Sequence, residues 1–288
     1  MDVEPMPPAQ ATMLMTSDHV RIHALHRPAP IGRERSLAIV VVHGFTNRAD
    51  TDKMLTIVAR LHRHASVINV EMRGHGKSEG ATSLGYREIA DVSAAVRWAR
   101  ALGYRTVVTL GFSLGGAVVV RQAAHPEGDD DAVDALVSVS APAFWYYKGT
   151  RITRALHRMV ERKYGRAILR GMGARVDSTP WPIPMPDTPE QAASTIMIPA
   201  LVVHGTVDQY FPTEHADRLR AAFATRSARS DAWIVEGFAH AESGIDTWLL
   251  DAITAWIIQA VGMSDGLEDH GLGDDTLQDD SMNAQVQP

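Results

Sequence analysis

The segment Thr106-Val-Val-Thr-Leu-Gly-Phe-Ser-Leu-Gly-Gly116 carries the strongest structural signal in this chain. Its first five residues are β-branched or apolar, which is typical of a buried strand, and the apolar residues from Leu114 to about Ala124 indicate a helix. Between them lies the pattern G-x-S-x-G, in which two glycines leave room for a sharp turn around Ser113. The segment therefore predicts a strand, a sharp turn that exposes the Ser113 hydroxyl, and a helix. The alternative is an ordinary turn in which Ser113 only caps the helix.

Strands and helices alternate on both sides of this segment. Runs such as Leu37–Val42 are continuous and β-branched, as expected for strands buried on both faces. The other predicted strands are Ser66–Val70, Ala135–Val139, Ala200–Val203 and Ala232–Val235, preceded by a hairpin of Met13–Met15 and Val20–Leu25. The predicted helices are Lys53–His64, Tyr86–Ala101, His215–Phe223 and Ile245–Val261. This alternation predicts an α/β fold with a mostly parallel central sheet and helices on both faces.

Residues 143–195 interrupt the alternation. They contain a cationic helical stretch, Arg151–Arg170, and then four prolines between residues 179 and 186, too many for a central strand. Large aromatic side chains favour burial, and three of them, Trp145, Tyr146 and Trp181, occur in this segment. We predict that the segment is a cap inserted over the carboxyl edge of the sheet and that these three residues line a substrate pocket. The alternative is a long surface loop.

The two ends of the chain differ from the rest in composition. Residues 262–288 hold seven acidic residues and no Lys or Arg, whereas the whole chain has a net charge of −6. The tail is therefore predicted to be disordered, because it cannot bury enough apolar surface to offset the entropy cost of ordering. We expect a flexible N-terminus at 1–11, a core formed by 12–142 and 196–261, a cap at 143–195 and an acidic tail at 262–288.

Composition also excludes several classes of protein. The chain has no cysteine, which rules out disulfides and cysteine nucleophiles, and outside the tail it is close to neutral, unlike a nucleic-acid-binding protein. No apolar run approaches the roughly 20 residues of a membrane helix, and the first ten residues do not resemble a signal peptide. The thirteen histidines form no H-E-x-x-H motif. We expect a cytoplasmic protein without a metal, an organic cofactor, a nucleic-acid partner or a membrane span, and the sequence leaves its oligomeric state open.

A serine nucleophile requires a base and an acid to orient that base. His240 follows the last predicted strand, in the kind of loop where catalytic groups of open α/β sheets gather. Asp208 follows the strand that ends near residue 203, so it is the preferred acid. Two other acids remain as alternatives: Asp231 precedes its strand, and Asp246 lies where the final helix begins, a common place for an acid.

Acyl transfer also requires N–H donors for the oxyanion of the tetrahedral intermediate. The residue after the nucleophile, Leu114, is expected to supply one of them. Phe45 is expected to supply the other, because His43-Gly44-Phe45 follows a buried strand and Gly44 allows the chain to turn tightly. We interpret His43 as a structural residue that braces this loop.

These motifs together resemble the α/β-hydrolase fold family over about residues 12–261. The matching residues are His43-Gly-Phe45, Arg73-Gly-His-Gly-Lys-Ser78, Gly111-Phe-Ser-Leu-Gly-Gly116, His204-Gly-x-x-Asp208 and His240. The pattern is most similar to that of carboxylesterases and monoglyceride-type lipases, and a cap inserted in the core is part of that expectation. Such relatives carry Asp two residues before the Arg of the second motif, where this chain has Glu71, and we expect the turn there to remain intact.

The resemblance implies a serine hydrolase that cleaves a carboxylic ester through an acyl-Ser113 intermediate, with His240 as base and Asp208 as acid. The aromatic and Met content of the predicted cap favours an apolar acyl group. The implied partner is a small-molecule ester or acyl substrate. A thioesterase, an amidase or a carbon–carbon bond hydrolase with the same three residues is the alternative among enzymes. An alternative of another class is a non-catalytic ligand-binding protein with the same fold, although no residue of the triad is missing.

Overall fold

One eight-stranded sheet organises the computed structural model, which describes residues 8–30, 36–227 and 229–263. The strands are β1 (Gln10–Met15), β2 (Arg21–Arg27), β3 (Leu37–Val42), β4 (Ser66–Val70), β5 (Thr106–Phe112), β6 (Ala135–Val139), β7 (Ala200–Gly205) and β8 (Ser230–Val235). Their order in the sheet is β1-β2-β4-β3-β5-β6-β7-β8. The pairs β1–β2 and β2–β4 are antiparallel, and all the other neighbours are parallel. The predicted mostly parallel sheet with an N-terminal hairpin is thus confirmed.

Helices pack on both faces of this sheet. In the described residues they are α1 (Asp52–His62), α2 (Ile89–Ala101), α3 (Leu114–Ala124), α4 (Arg151–Glu161), α5 (Lys163–Gly171), α6 (Pro189–Ala193), α7 (Glu214–Phe223), α8 (Ala241–Gly244) and α9 (Thr247–Ala260). No helix within these described ranges is long and apolar enough to cross a bilayer.

The central strand β3 shows how the sequence builds two cores. Successive side chains of a strand point to opposite faces. Ile39 and Val41 accordingly pack into one apolar cluster with helices α1 and α9, and Val40 and Val42 pack into another with α2 and α3. All four side chains are fully buried. A run of six consecutive apolar residues is therefore required here, because neither face of the strand meets water.

Two predicted helices have different bounds in the structure. The final helix does not begin at Ile245, because that residue is extended and buried; Asp246 instead caps α9 by accepting a hydrogen bond from the Leu249 N–H at 2.8 Å. The cationic stretch predicted as helical is interrupted by Arg162, whose extended backbone (φ −109°, ψ 140°) separates α4 from α5. Hydrophobic periodicity does not report the break at Arg162, since the apolar spacing continues through it.

The segment between β6 and β7 lies beside the loops that follow the parallel strands. Ala174 and Val176 form isolated β-bridges with His75 and Thr82 of the loop after β4, and α6 packs between α3 and α7. The division into core and cap stays a prediction. Strand β1 begins at Gln10, inside the segment predicted to be flexible, and the predictions for residues 1–7 and 264–288 lie outside the described residues.

Candidate active site

Ser113 lies at the sharp turn between β5 and α3. Its backbone adopts φ 50° and ψ −114°, a conformation that is unfavourable for a residue with a Cβ, and its N–H donates to the Val139 carbonyl at 2.8 Å. The flanking glycines are needed because a Cβ on Gly111 would lie 2.3 Å from the Gly115 oxygen, and one on Gly115 would lie 2.4 Å from the Val42 oxygen. The predicted turn is present, and close backbone packing requires both glycines.

His240 and Asp208 meet Ser113 in a continuous chain of hydrogen bonds. His240 Nε2 lies 2.9 Å from Ser113 Oγ, and His240 Nδ1 lies 2.7 Å from Asp208 Oδ2. With a carboxylate facing Nδ1, the proton of a neutral imidazole resides there and Nε2 can accept the Ser113 proton. The structure thus brings together the three residues that the sequence analysis selected, although they are separated by as many as 127 positions.

The two alternative acids are engaged elsewhere. Asp231 accepts a hydrogen bond from Trp256 Nε1 at 2.6 Å and lies 3.6 Å from Arg229 Nε. Asp246 caps α9 through the Leu249 N–H. Of the three acids considered from the sequence, only Asp208 contacts His240.

The side chain of Asp208 is fully buried, yet its surroundings favour the charged form of the carboxylate. Oδ1 accepts the N–H groups of Tyr210 and Phe211 at 2.7 and 3.0 Å, while Oδ2 faces His240. Burial acts to raise the pKa of Asp208, but the hydrogen bond from His240, the charge of His240 and the two backbone N–H groups outweigh burial and hold this pKa below its usual value. The carboxylate is therefore ionised at neutral pH.

The loop after β3 contains the predicted donor Phe45. Its neighbouring N–H groups are all engaged: Gly44 N–H donates to Glu242 Oε1, Thr46 N–H to His75 Nε2 at 3.4 Å, and Asn47 N–H to the Gly44 oxygen at 3.2 Å. The Phe45 N–H has no acceptor within the part of the chain that the structure describes.

The second predicted donor, Leu114, is the first residue of α3. The first N–H groups of a helix have no acceptor within the helix, and they carry the positive end of its dipole. Both Leu114 and Phe45 line the same cavity as Ser113. The structure therefore places both predicted donor residues in the lining of the cavity that contains the predicted nucleophile.

His43 makes contacts that suit a bracing role. Nε2 accepts the Met72 N–H at 3.1 Å, which leaves the proton on Nδ1, and Nδ1 donates to the Gly44 oxygen at 2.8 Å. Burial, together with the nearby charge of His75, lowers the pKa of His43 to about 3. His43 is therefore neutral over the physiological range, and both its ring nitrogens are used within the fold.

Glu71 keeps the loop after β4 in a tight turn, as expected. Its carboxylate accepts the Lys77 N–H at 2.8 Å and faces His23 Nδ1 at 3.0 Å, and its backbone oxygen accepts the Ser78 hydroxyl at 2.6 Å. Gly76 is required in this turn, because its φ is +46° and a Cβ there would lie 2.1 Å from the Glu71 carboxylate.

A cavity of about 800 Å³ opens above Ser113 and His240. The three aromatic residues predicted for a pocket, Trp145, Tyr146 and Trp181, all line it, and α4 adds apolar side chains such as Leu156. The indole N–H of Trp145 donates to the Asp187 oxygen at 3.0 Å and that of Trp181 to the Ser83 oxygen at 2.8 Å. Since these polar edges are satisfied by the main chain, the tryptophans offer apolar ring surface to a ligand.

Two further residues of the site were not identified from the sequence. Tyr210 lies against His240, and Glu242 reaches the loop after β3. Their proximity to Asp208 and His240 along the chain was the only available signal, and it does not reveal what the side chains contact. In the described ranges, no group of three or more His, Asp or Glu side chains is placed to hold a metal ion.

Comparison with known proteins identifies the fold. A family model described as the α/β-hydrolase fold matches residues 38–147. An uncharacterized protein of Salmonella typhi, YfhR, is 22% identical over 226 residues, which is 74% of this chain and 69% of that protein.

Solved structures of two prokaryotic proteins are also similar. The esterase Pf2001 of Pyrococcus furiosus superposes with a TM-score of 0.69 at 16% identity, covering 88% of this chain and 93% of that one. Est1E of Butyrivibrio proteoclasticus, solved with ferulic acid bound, has a TM-score of 0.61 at 19% identity, covering 87% of this chain and 99% of that one. These likenesses confirm the predicted fold class and the resemblance to the α/β-hydrolase fold.

Proposed function

We propose that this chain, which has the α/β-hydrolase fold, is a serine hydrolase that cleaves carboxylic esters through an acyl intermediate on Ser113. The observation that carries the proposal is the hydrogen-bonded chain Ser113 Oγ–His240 Nε2–Asp208, with distances of 2.9 and 2.7 Å. The esterase Pf2001, which has the same fold, supports the choice of an ester.

Acylation begins when His240 Nε2 takes the Ser113 proton and Oγ attacks the ester carbonyl carbon. The carbonyl oxygen becomes an oxyanion, which the N–H groups of Phe45 and Leu114 stabilise. The tetrahedral intermediate collapses, the bond to the alkoxy oxygen breaks, and His240 gives its proton to the leaving alcohol. The acyl group remains on Ser113.

Deacylation repeats these steps with water as the nucleophile. His240 takes a proton from water, the hydroxide oxygen attacks the acyl carbon, and the bond to Ser113 Oγ breaks. His240 then returns the proton to Ser113, and the carboxylic acid leaves. Asp208 remains ionised throughout, because its lowered pKa keeps it negative, and it stabilises the imidazolium that forms in each half-reaction.

The cavity supports an apolar acyl substrate. Its wall is largely apolar and aromatic, and its lining includes Trp145, Tyr146, Trp181 and apolar side chains of helix α4. Sites of this size and composition hold small molecules whose orientation is set by a few polar groups. Est1E, solved with ferulic acid bound, is a protein of the same fold that accommodates an aromatic acid, so aromatic as well as aliphatic acyl groups belong in a test of this chain.

Labelling by a fluorophosphonate probe tests the nucleophile. The probe modifies an activated serine, so wild-type protein should be labelled and Ser113→Ala should not. Ser178→Ala is the matched control, because Ser178 also lines the cavity but lies outside the hydrogen-bonded chain. Labelling that survives Ser113→Ala would place the nucleophile elsewhere, and folded wild-type protein that is never labelled would indicate a binding protein.

A substrate panel then tests the reaction class. Esters of p-nitrophenol with short, medium and long aliphatic acyl groups and with aromatic acyl groups are compared with thioesters and anilides of the same acids. We expect the highest kcat/KM on esters. A clear preference for thioesters or anilides would retain Ser113 but replace the esterase with a thioesterase or an amidase.

A further inference from the structure

Glu242 joins the loop that carries His240 to the loop that carries Phe45. Its side chain is largely buried, with the residue only 7% exposed, and it lines the cavity. Oε1 accepts the Gly44 N–H and also the Asn47 side-chain amide, the latter at 3.1 Å. These two loops are separated by 198 positions in sequence, so the contact forms only in the folded chain.

A constrained turn delivers Glu242 to this position. Ala241 adopts a left-handed conformation with φ 47°, which costs a non-glycine residue about 1 kcal/mol or more. Its N–H donates to Ser140 Oγ at 3.0 Å, and this bond helps to hold the turn. The turn lets His240 and Glu242, two residues apart, both line the cavity around Ser113.

The Gly44–Phe45 peptide is the group whose orientation depends on these contacts. A peptide unit is planar and trans, so its C=O and N–H point in opposite directions. The Gly44 oxygen is held by His43 Nδ1 at 2.8 Å and by the Asn47 N–H at 3.2 Å, which directs the Phe45 N–H the opposite way. Glu242 holds the other side of Gly44 through its N–H, and it also holds the Asn47 side chain.

We infer that Glu242 is a positioning residue that fixes the Gly44–Phe45 peptide as an oxyanion donor, a role that rests on the proposed esterase function. Glu242 acts through the peptide and does not itself touch the reacting atoms. Without it, the Gly44 N–H loses its acceptor and the loop is free to tilt, and a displacement of about 1 Å at a reacting centre can cost on the order of 100-fold in rate.

The length of the side chain, not its charge, is the property required. The oxyanion is negative, so a second negative charge in the same cavity does nothing to stabilise it. Gln has the same length as Glu and still offers an oxygen to the Gly44 N–H. Asp keeps the charge but is shorter by one methylene, so it cannot reach Gly44 from the same backbone. Geometry therefore predicts that Gln is tolerated and Asp is not.

The test compares Glu242→Gln and Glu242→Asp in the full chain, using a p-nitrophenyl ester that the wild-type protein cleaves. Glu242→Asp should lower kcat by about 10- to 100-fold with KM within about twofold, because a transition-state contact is lost and ground-state binding is not. Glu242→Gln should stay within about threefold of wild type. Glu236→Asp, at an exposed position of the same loop, is the matched control and should be unaffected.

A transition-state analogue separates this role from a merely structural one. Ser113 Oγ can add to the carbonyl of a trifluoromethyl ketone that carries the acyl group, and the adduct has an oxyanion for the N–H donors to bind. The corresponding alcohol has no carbonyl and forms no such adduct. For Glu242→Asp, inhibition by the ketone should weaken by the same factor as kcat/KM, and inhibition by the alcohol should not change. Thermal unfolding of each variant reports its folded fraction.

Three results would overturn the inference. They are wild-type rates in Glu242→Asp, equal losses in Glu242→Gln and Glu242→Asp, or a loss that follows only the folded fraction while ketone inhibition stays unchanged. An active wild-type protein with any of these results leaves the esterase proposal intact. A folded wild-type protein that neither reacts with fluorophosphonate nor cleaves any ester overturns both proposals.

Discussion

The phenol ring of Tyr210 lies almost parallel to the imidazole of His240, with ring centroids 4.1 Å apart and an angle of 22° between the planes. The backbone N–H of the same tyrosine donates to Asp208 at 2.7 Å. One residue therefore holds the proposed acid, Asp208, and covers one face of the proposed base, His240. A ring face attracts a cation, so this stacking favours the imidazolium that forms during the proposed reaction.

Replacement of Tyr210 by Leu should lower kcat on a p-nitrophenyl ester by about two- to tenfold, since a cation–π contact of this kind contributes roughly 0.5–1 kcal/mol or somewhat more when shielded from water. Tyr210→Phe keeps the ring and should retain most activity. Tyr164→Leu is the control, because Tyr164 is 87% exposed and lies outside the cavity lining. Equal losses in the Phe and Leu variants would assign the effect to the hydroxyl instead of the ring.

Replacement of Asp208 by Asn should lower kcat by about four orders of magnitude, because Asn no longer stabilises the imidazolium and favours the wrong imidazole tautomer. The pKa of Asp208 is held below its usual value, so wild-type kcat/KM should show no ionisation of this group between pH 5 and 9. The loss in Asp208→Asn should therefore be present across that whole range.

Asp246→Asn is the matched control for this experiment. Asn caps a helix as well as Asp does, so the Leu249 N–H keeps its acceptor and activity should stay near wild type. Near-normal turnover in Asp208→Asn, with a large loss in the control, would move the acid to Asp246.

Replacement of Gly115 by Ala should destabilise the protein by about 1–3 kcal/mol and lower activity, since overpacking at a rigid site forces the backbone to shift. The added Cβ would lie 2.4 Å from the Val42 oxygen and 2.6 Å from the His43 oxygen, directly before the loop that carries Phe45. Gly171→Ala is the control, because nothing lies within 4 Å of a Cβ there, and it should be neutral or stabilising. Urea unfolding and kcat measure the two effects, and equal stabilities of the two variants would contradict the packing argument.

His215 should make the protein less stable in mild acid. It is fully buried between Phe144 and Phe211, and its Nδ1 accepts the Ala143 N–H at 3.0 Å. Burial, and secondarily the charge of His204, lowers the pKa of His215 to about 4. In the unfolded chain this imidazole binds a proton near pH 6.5, whereas in the folded chain it stays neutral until about pH 4. The free energy of unfolding is therefore highest above pH 6.5 and falls as the pH drops towards 4.

The size of this effect can be measured with His215→Asn, whose side-chain oxygen can still accept the Ala143 N–H. Between pH 7.5 and 5, wild-type protein should lose about 2 kcal/mol of unfolding free energy more than this variant. Urea unfolding at the two pH values gives the difference. Parallel losses in both proteins would show that other groups govern acid stability.

The strands, most helices and the turn at Ser113 could be predicted because their signals lie between neighbours in sequence. Residues 37–42 are apolar at every position because both faces of β3 are buried. Gly111 and Gly115 flank Ser113 because a Cβ at either position would lie within 2.4 Å of a backbone oxygen. The start of the final helix at Asp246 was anticipated, but the break at Arg162 escaped prediction, since an extended residue interrupts the helix there without changing the apolar spacing.

The order of Ser113, Asp208 and His240 along the chain, with each residue just after a strand, was readable from sequence, because the carboxyl ends of parallel strands meet at one edge of a sheet. Only the tertiary structure showed which of the acids Asp208, Asp231 and Asp246 contacts His240. It alone revealed that Glu242 holds Gly44 and that Tyr210 stacks on His240. Such contacts depend on how separate loops meet at that edge, and a hydrogen bond between residues 198 positions apart leaves no periodic trace in the sequence.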